Sequence, residues 1–171
     1  IELAGIQQLQ QENLRKNIDI SEAESQGFLT AEYSLAFLQQ MHDASASIIA
    51  KEGDKIVGYA LVAVNEIRNG HPLLADLFNT IDKTIFEQGL LKNSRYVVVG
   101  QLCVSKNYRG QGLVQALYEH FRECLSSQYQ YCITDVAQEN VRSLKAHKNT
   151  GFQVIDSLSY ADIGWDIVLW D

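Results

Sequence analysis

One proline, one methionine and two tryptophans are all that 171 residues carry of those types. A single proline leaves no room for a proline-rich linker or polyproline segment, and no repeat or low-complexity tract divides the chain. Cysteine is also scarce: Cys103, Cys124 and Cys132 show no CxxC and no Cys/His pairing. That argues against a disulfide framework and a structural zinc site, so no metal is expected and the thiols read as reduced. Basic residues are few, 14 Lys and Arg against 21 Asp and Glu, for a formal charge of −7. A nucleic-acid partner needs a basic face, so none is expected. No apolar run approaches the roughly 18 residues that cross a bilayer, and the polar stretch 7–17 is unlike a secretion signal. We therefore expect no membrane partner and a soluble, cytoplasmic protein.

What is present is 46% hydrophobic residues, enough for a chain of this length to bury a core as a single domain over 1–171. Ile6, Leu9 and Leu14 keep helical spacing, and residues 1–3 read as the stub of a first strand. An acidic loop follows. Thr30 then reads as the N-cap of a helix carrying Tyr33, Leu35, Phe37, Leu38 and Met41. Residues 47–64 form two β-rich runs turning at Glu52–Lys55, a hairpin. A connection over 65–94 has turn signals at Asn69-Gly70 and Gly89, with a helical pattern of Leu73, Leu74, Leu77, Phe78, Ile81 and Ile85 between them. Then come a strand over 95–104, a helix to about 127, a strand in YQYCITDVA, a helix stopped by Gly151 and two closing strands. The order predicts an α/β (mixed-sheet α+β) fold. The last strand, 162–170, alternates as a sheet edge would, and a dimer across it is an open possibility.

The turn between strand 95–104 and its helix holds Gly110 and Gly112. A strand-to-helix turn rich in glycine offers free N–H groups and the positive end of a helix dipole, which suits an anion. It can also be a tight turn that holds nothing. A triphosphate loop is excluded, because no Gly-Lys-Ser/Thr ends the turn. A dinucleotide site remains a rival, with Asp135 as its ribose acid. Against it, Gln115 stands where a third glycine belongs and only some 60 residues remain after the turn.

Arg109-Gly110-Gln111-Gly112-Leu113-Val114 resembles the acyl-CoA signature of the GNAT-type N-acetyltransferase superfamily: Arg or Gln, two residues, Gly, one residue, then Gly or Ala. Val114 departs at the last position. About 30 residues on, Asn140 through Gly151-Phe152 resembles the family's later motif, with Ser143 for the usual Ala and His147 for the usual Tyr. The resemblance implies a GNAT-like fold with a helical insert, 65–94, between its third and fourth strands. It implies acetyl-CoA as co-substrate and direct transfer to a primary amine in a ternary complex, the acceptor being a small molecule or a peptide.

By the same resemblance, backbone N–H groups from Arg109, Gly110, Gln111, Gly112, Leu113 and Val114 hold the pyrophosphate, with Arg109 and Lys106 as further phosphate contacts. Leu102, Cys103 and Val104 pair with the pantetheine arm through a bulge, and Asn140 faces the cofactor. His147 is the expected general acid and Tyr160 a second candidate. Cys103 reads as a core or cofactor-lining thiol. No base is assigned among Glu66, Gln101 and Glu139. A non-catalytic acyl-CoA sensor and an NAD(P)-binding oxidoreductase are the alternatives.

Overall fold

Buried residues of the strands form two apolar layers, one on each side of a sheet, and helices close over both. The structure is a computed structural model and describes residues 2–171. Helix α1 spans Glu2–Asn13 and buries Ile6 and Leu9 against the sheet. The expected strand stub is therefore helical at Glu2 and Leu3, while Ile1 lies outside the described residues. Leu3, Ile6 and Leu9 repeat every third residue, which lays one helical face on the core.

The acidic stretch is also a helix, α2 (Ile20–Gln26), because the Asp19 carboxylate caps it, accepting the Glu22 N–H at 2.7 Å. The next helix, α3 (Leu35–Ala44), starts later than Thr30 predicts. Ser34 is its cap, its hydroxyl accepting the Phe37 N–H at 3.1 Å.

The hairpin is β1 (Ile48–Glu52) with β2 (Lys55–Ala63). A 3₁₀ turn and α4 (Pro72–Ile81) come next, with Pro72 in the first turn, where its missing N–H costs nothing. Ile85 leaves the predicted apolar face: it is exposed on a two-residue strand, β3 (Ile85–Phe86), which pairs with β4 (Gly89–Leu90). The chain continues through β5 (Tyr96–Val104), α5 (Leu113–Leu125), β6 (Tyr131–Ala137), α6 (Val141–Thr150), β7 (Gln153–Tyr160) and β8 (Ile163–Trp170). No described helix is long and apolar enough to cross a membrane.

Six strands form one mixed sheet in the order β1-β2-β5-β6-β8-β7. Side chains of α1, α3 and α4 pack on one face, those of α5 on the other, with Leu144 of α6 beside them. The closing strand β8 is not an edge: β6 pairs on one side of it and β7 on the other. With both its backbone edges used, it has no free edge on which a second copy could add a strand, and the edges of the sheet are β1 and β7.

Two irregularities mark β5. First, Leu61 pairs with Gln101 and Val62 with Val99, so Gly100 is an extra residue, a bulge. Side-chain parity changes across it: Val97 and Val99 lie on the α5 face, and so do Leu102 and Val104. The bulge expected at Leu102–Val104 is thus earlier, where glycine tolerates the local kink. Second, β5 and β6, parallel neighbours in the sheet, hold register only for Tyr96–Tyr131, Val97–Cys132 and Val98–Ile133. Beyond that point the Thr134 hydroxyl donates to the Val99 carbonyl at 2.8 Å, and the strands part.

Candidate active site

Parted strands expose backbone that a regular ladder would have used. Leu102, Cys103 and Val104 pair with β2 on one side and line a cleft of about 530 Å³ on the other. The turn after β5 closes one end of it. Gly110 (φ 74°) and Gly112 (φ 79°) both take positive φ, and a Cβ on either would meet no protein atom within 4 Å. Glycine there serves the backbone conformation and keeps the cleft clear, with no packed neighbour to satisfy. Gly112 caps α5 without any side-chain acceptor, so the first-turn N–H groups and the helix dipole are available to an anion.

Charge at the cleft runs against that of the chain. Arg109, Arg142 and Lys145 line it and no carboxylate does, although the sequence carries −7. Nothing in the sequence singles out Arg142 and Lys145, because a helical cation looks like an ordinary solvated one. Arg109 is placed differently from expectation. Its guanidinium turns inward, donating to the Val104 carbonyl at 3.1 Å, the Gln26 carbonyl at 3.2 Å and Asn13 Oδ1 at 2.5 Å. It fastens the turn to α1 and α2. Lys106 pairs with Glu22 at 3.3 Å on the surface. Gln111 is exposed, its amide donating to the Asn107 carbonyl at 3.0 Å, and is not among the cleft residues.

Leu113, Val114 and Asn140 do line the cleft. Asn140 caps α6 by accepting the Ser143 N–H at 3.3 Å and donates to the Phe28 carbonyl at 3.1 Å. One side chain thereby holds the helix start against the loop after α2.

A second, smaller cavity of about 80 Å³ adjoins the cleft. Phe28, Leu29, Leu102, Asn140 and Ser143 belong to both linings and form the passage between them. Three polar atoms in its lining are buried without a partner among the described residues: Thr30 Oγ1, Asp135 Oδ2 and Trp165 Nε1. Burial pushes the Asp135 carboxyl up to about 7, opposed only by a hydrogen bond from its own backbone. In the sequence Asp135 is legible only as a rival's ribose acid. The signal that marks it is a lone carboxylate inside the otherwise buried strand Tyr131–Ala137.

His147 lines this inner cavity too, but as a packed residue. It is 3% exposed. Its Nδ1 lies 2.7 Å from the Ser143 carbonyl, which only accepts, so Nδ1 carries the proton and Nε2 accepts from the Tyr118 hydroxyl at 2.7 Å. Desolvation pushes its pKa down to about 4. The ring is neutral near pH 7, which does not suit the imidazolium acid expected there. Burial likewise pushes the Cys103 thiol up to about 12. Tyr160 packs near His71, with ring centroids 6.5 Å apart, and is in neither lining.

A cleft with cations and an open glycine turn at a helix start can take an extended anionic ligand. The chain belongs to the acetyltransferase (GNAT) family, whose description matches residues 7–152. Solved structures agree on the fold. A GNAT-family acetyltransferase from Streptococcus agalactiae superposes with a TM-score of 0.66 at 17% identity, over 98% of this chain and 88% of that one. A NatC complex bound to Gag peptide and CoA gives 0.65 at 15% identity, again over 98% and 88%. The ribosomal-protein-S18-alanine N-acetyltransferase of Escherichia coli gives 0.61 at 13% identity, over 98% and 86%. A search of curated protein sequences gives no match. Acetyl-CoA is the acyl donor of this family, and the cations, open glycine turn and volume of the cleft fit its phosphates and extended arm.

Proposed function

We propose that this N-acetyltransferase moves the acetyl group of acetyl-CoA directly to a primary amine, with donor and acceptor bound together. The observation that carries this reading is the meeting of two cavities at Leu102, Asn140 and Ser143. Each reactant has its own compartment, and the passage between them is where a reacting carbon would stand. Acetyl-CoA supplies, when bound, a thioester whose carbonyl is open to attack.

The chain's own groups do the rest. First-turn N–H groups of α5 receive phosphate oxygens, and Arg142 and Lys145 add charge. The cleft-facing backbone edge of Leu102–Val104, where Arg109 takes the Val104 carbonyl, offers an N–H to a carbonyl oxygen, holding the charge that develops there. The Cys103 thiol stays protonated at neutral pH, so it is a poor carrier of an acetyl group. Among similar structures, one contains a peptide with CoA and another is named for an alanine acceptor, which supports an amine acceptor here.

Initial rates of thiol release, with acetyl-CoA and amine both varied, test the mechanism. Intersecting double-reciprocal lines and no acetylated protein by mass spectrometry are expected. Parallel lines with an acetyl-protein adduct would sink direct transfer. CoA binding without thiol release over a broad amine panel would leave the acyl-CoA sensor in its place.

A further inference from the structure

The inner cavity holds three buried polar groups that nothing among the described residues satisfies. A buried donor or acceptor left unpaired is costly, so three of them around one cavity call for a group that completes them. Their chemistry is restrictive. Trp165 Nε1–H only donates; an Asp135 carboxylate only accepts; the Thr30 hydroxyl does either. A bare alkylammonium would pair with Asp135 and Thr30 and leave the indole N–H unmet. A ligand bearing acceptors alone would meet the indole and strand the carboxylate. A ligand carrying a donor and an acceptor a bond or two apart satisfies all three, and a cationic donor pairs most strongly with the carboxylate.

Strand register puts the groups within reach of one such ligand. Asp135 and Ala137 project from the same face of β6, and Trp165 is the cross-strand partner of Ala137. Thr30 comes from the segment between α2 and α3, on the same helical side of the sheet. Size narrows the class further: about 80 Å³ admits about five water-sized groups.

We propose that this cavity is the acceptor subsite and that it selects a primary ammonium whose adjacent carbon bears a hydrogen-bond acceptor, as in an amino-acid amide or an amino alcohol. Asp135 binds the ammonium, Trp165 donates to the neighbouring acceptor, and Thr30 bridges them. This rests on the direct-transfer reading for its chemical outcome. The Asp135 carboxylate takes one proton from the ammonium, freeing the nitrogen lone pair. That pair forms the C–N bond while the C–S bond breaks with its electrons on sulfur. The second proton leaves nitrogen and ends on the thiolate, and Asp135 returns its proton to water.

Glycinamide and n-butylamine have equal numbers of non-hydrogen atoms, and only the first carries the neighbouring acceptor. The full chain, ¹⁵N-labelled and saturated with CoA, has two indole N–H resonances, from Trp165 and Trp170. Glycinamide is expected to shift the Trp165 signal to saturation, leave Trp170 unmoved, and bind at least tenfold more tightly than n-butylamine. Asp135→Asn should weaken glycinamide at least tenfold, and Trp165→Phe should erase the preference between the two amines. Equal binding of both amines by the unaltered protein, or a Trp165 signal indifferent to glycinamide, overturns the proposal and leaves a cavity for water. Calorimetry of CoA binding on the same sample separates the failures: without CoA binding, it is the acetyltransferase reading that falls.

Discussion

The Tyr118 hydroxyl stands 2.7 Å from Nε2 of His147, and the two rings pack edge to face with Phe152 and Trp170 around them. A position where the family usually has tyrosine is here half of a buried hydrogen-bonded pair beneath the site. A buried pair of this kind contributes to stability.

His147→Ala is expected to cost about 3 kcal/mol, from a cavity and an unpartnered Tyr118 hydroxyl. Denaturant melts should show that loss, and acetyl transfer per folded molecule should stay within a factor of about two. A hundredfold loss of rate without loss of stability would restore the proton-donor role.

The two perturbed groups pull stability in opposite directions over the same pH range. His147 titrates near 6.5 unfolded and about 4 folded, so the stability of its neutral form is lost as pH falls from 6.5 through 4. Asp135 titrates at 3.8 unfolded and about 7 folded, so the folded state binds the extra proton and loses stability as pH rises from 4 to 7. The respective spans are about 3 and about 4 kcal/mol. Melts of Asp135→Asn should show stability rising with pH across this window, those of His147→Phe should show it falling, and the unaltered protein should be nearly flat.

Ionisation of Asp135 should also appear in turnover. The groups around it are Tyr33, which burial keeps protonated, neutral His147, Gln101, Thr30 and Trp165, with no cation to draw the carboxyl back down. We predict that kcat/KM for an amine rises as pH increases through about 7. In Asp135→Asn that limb should vanish and the plateau fall roughly 10²-fold. An unchanged profile would remove the carboxylate from proton transfer.

Cofactor affinity should separate the cations by geometry. Arg142→Ala and Lys145→Ala are expected to weaken CoA and flatten the dependence of its Kd on salt, with melting unchanged. Arg109→Ala should instead lower the melting temperature, because three carbonyl or amide oxygens lose their donor. Lysine should not restore it, since one ammonium cannot reproduce the fork.

Gly112→Ala places a methyl in the open cleft at φ 79°. The backbone penalty is about 1–2 kcal/mol, and CoA affinity by calorimetry should fall at least tenfold. Affinity equal to that of the unaltered protein would show that the turn does not approach the phosphates.

Much of the fold is legible in short-range pattern. A run of β-branched residues marks a strand whatever surrounds it, and the buried stretch Val97–Val99 lies within β5 where its residue types put it. Gly110, Gly112 and Asn140 carry their meaning in residue type and spacing, so the cleft they line is readable from the chain. Three things are not. Capping is decided by one side-chain bond, and Asp19 and Ser34 win where an acidic loop and Thr30 look plausible. The burial of His147 depends on Tyr118, 29 residues away. Asp135, Thr30 and Trp165 meet only through the sheet order, which places β8 beside β6 and the post-α2 segment above both.

Gly100 acts on β5 as an inserted base acts on a reading frame. Residues before it are read in one phase, with Val97 and Val99 outward to α5, and residues after it in the other, with Leu102 and Val104 taking that side. Gln101 and Cys103 are thereby delivered to the opposite layer, where Gln101 holds Tyr59 and the Ala31 carbonyl. Deleting that one glycine would restore the uninterrupted phase and exchange the two layers of every strand residue downstream, so the whole cleft-lining half of the strand is punctuated by its smallest residue.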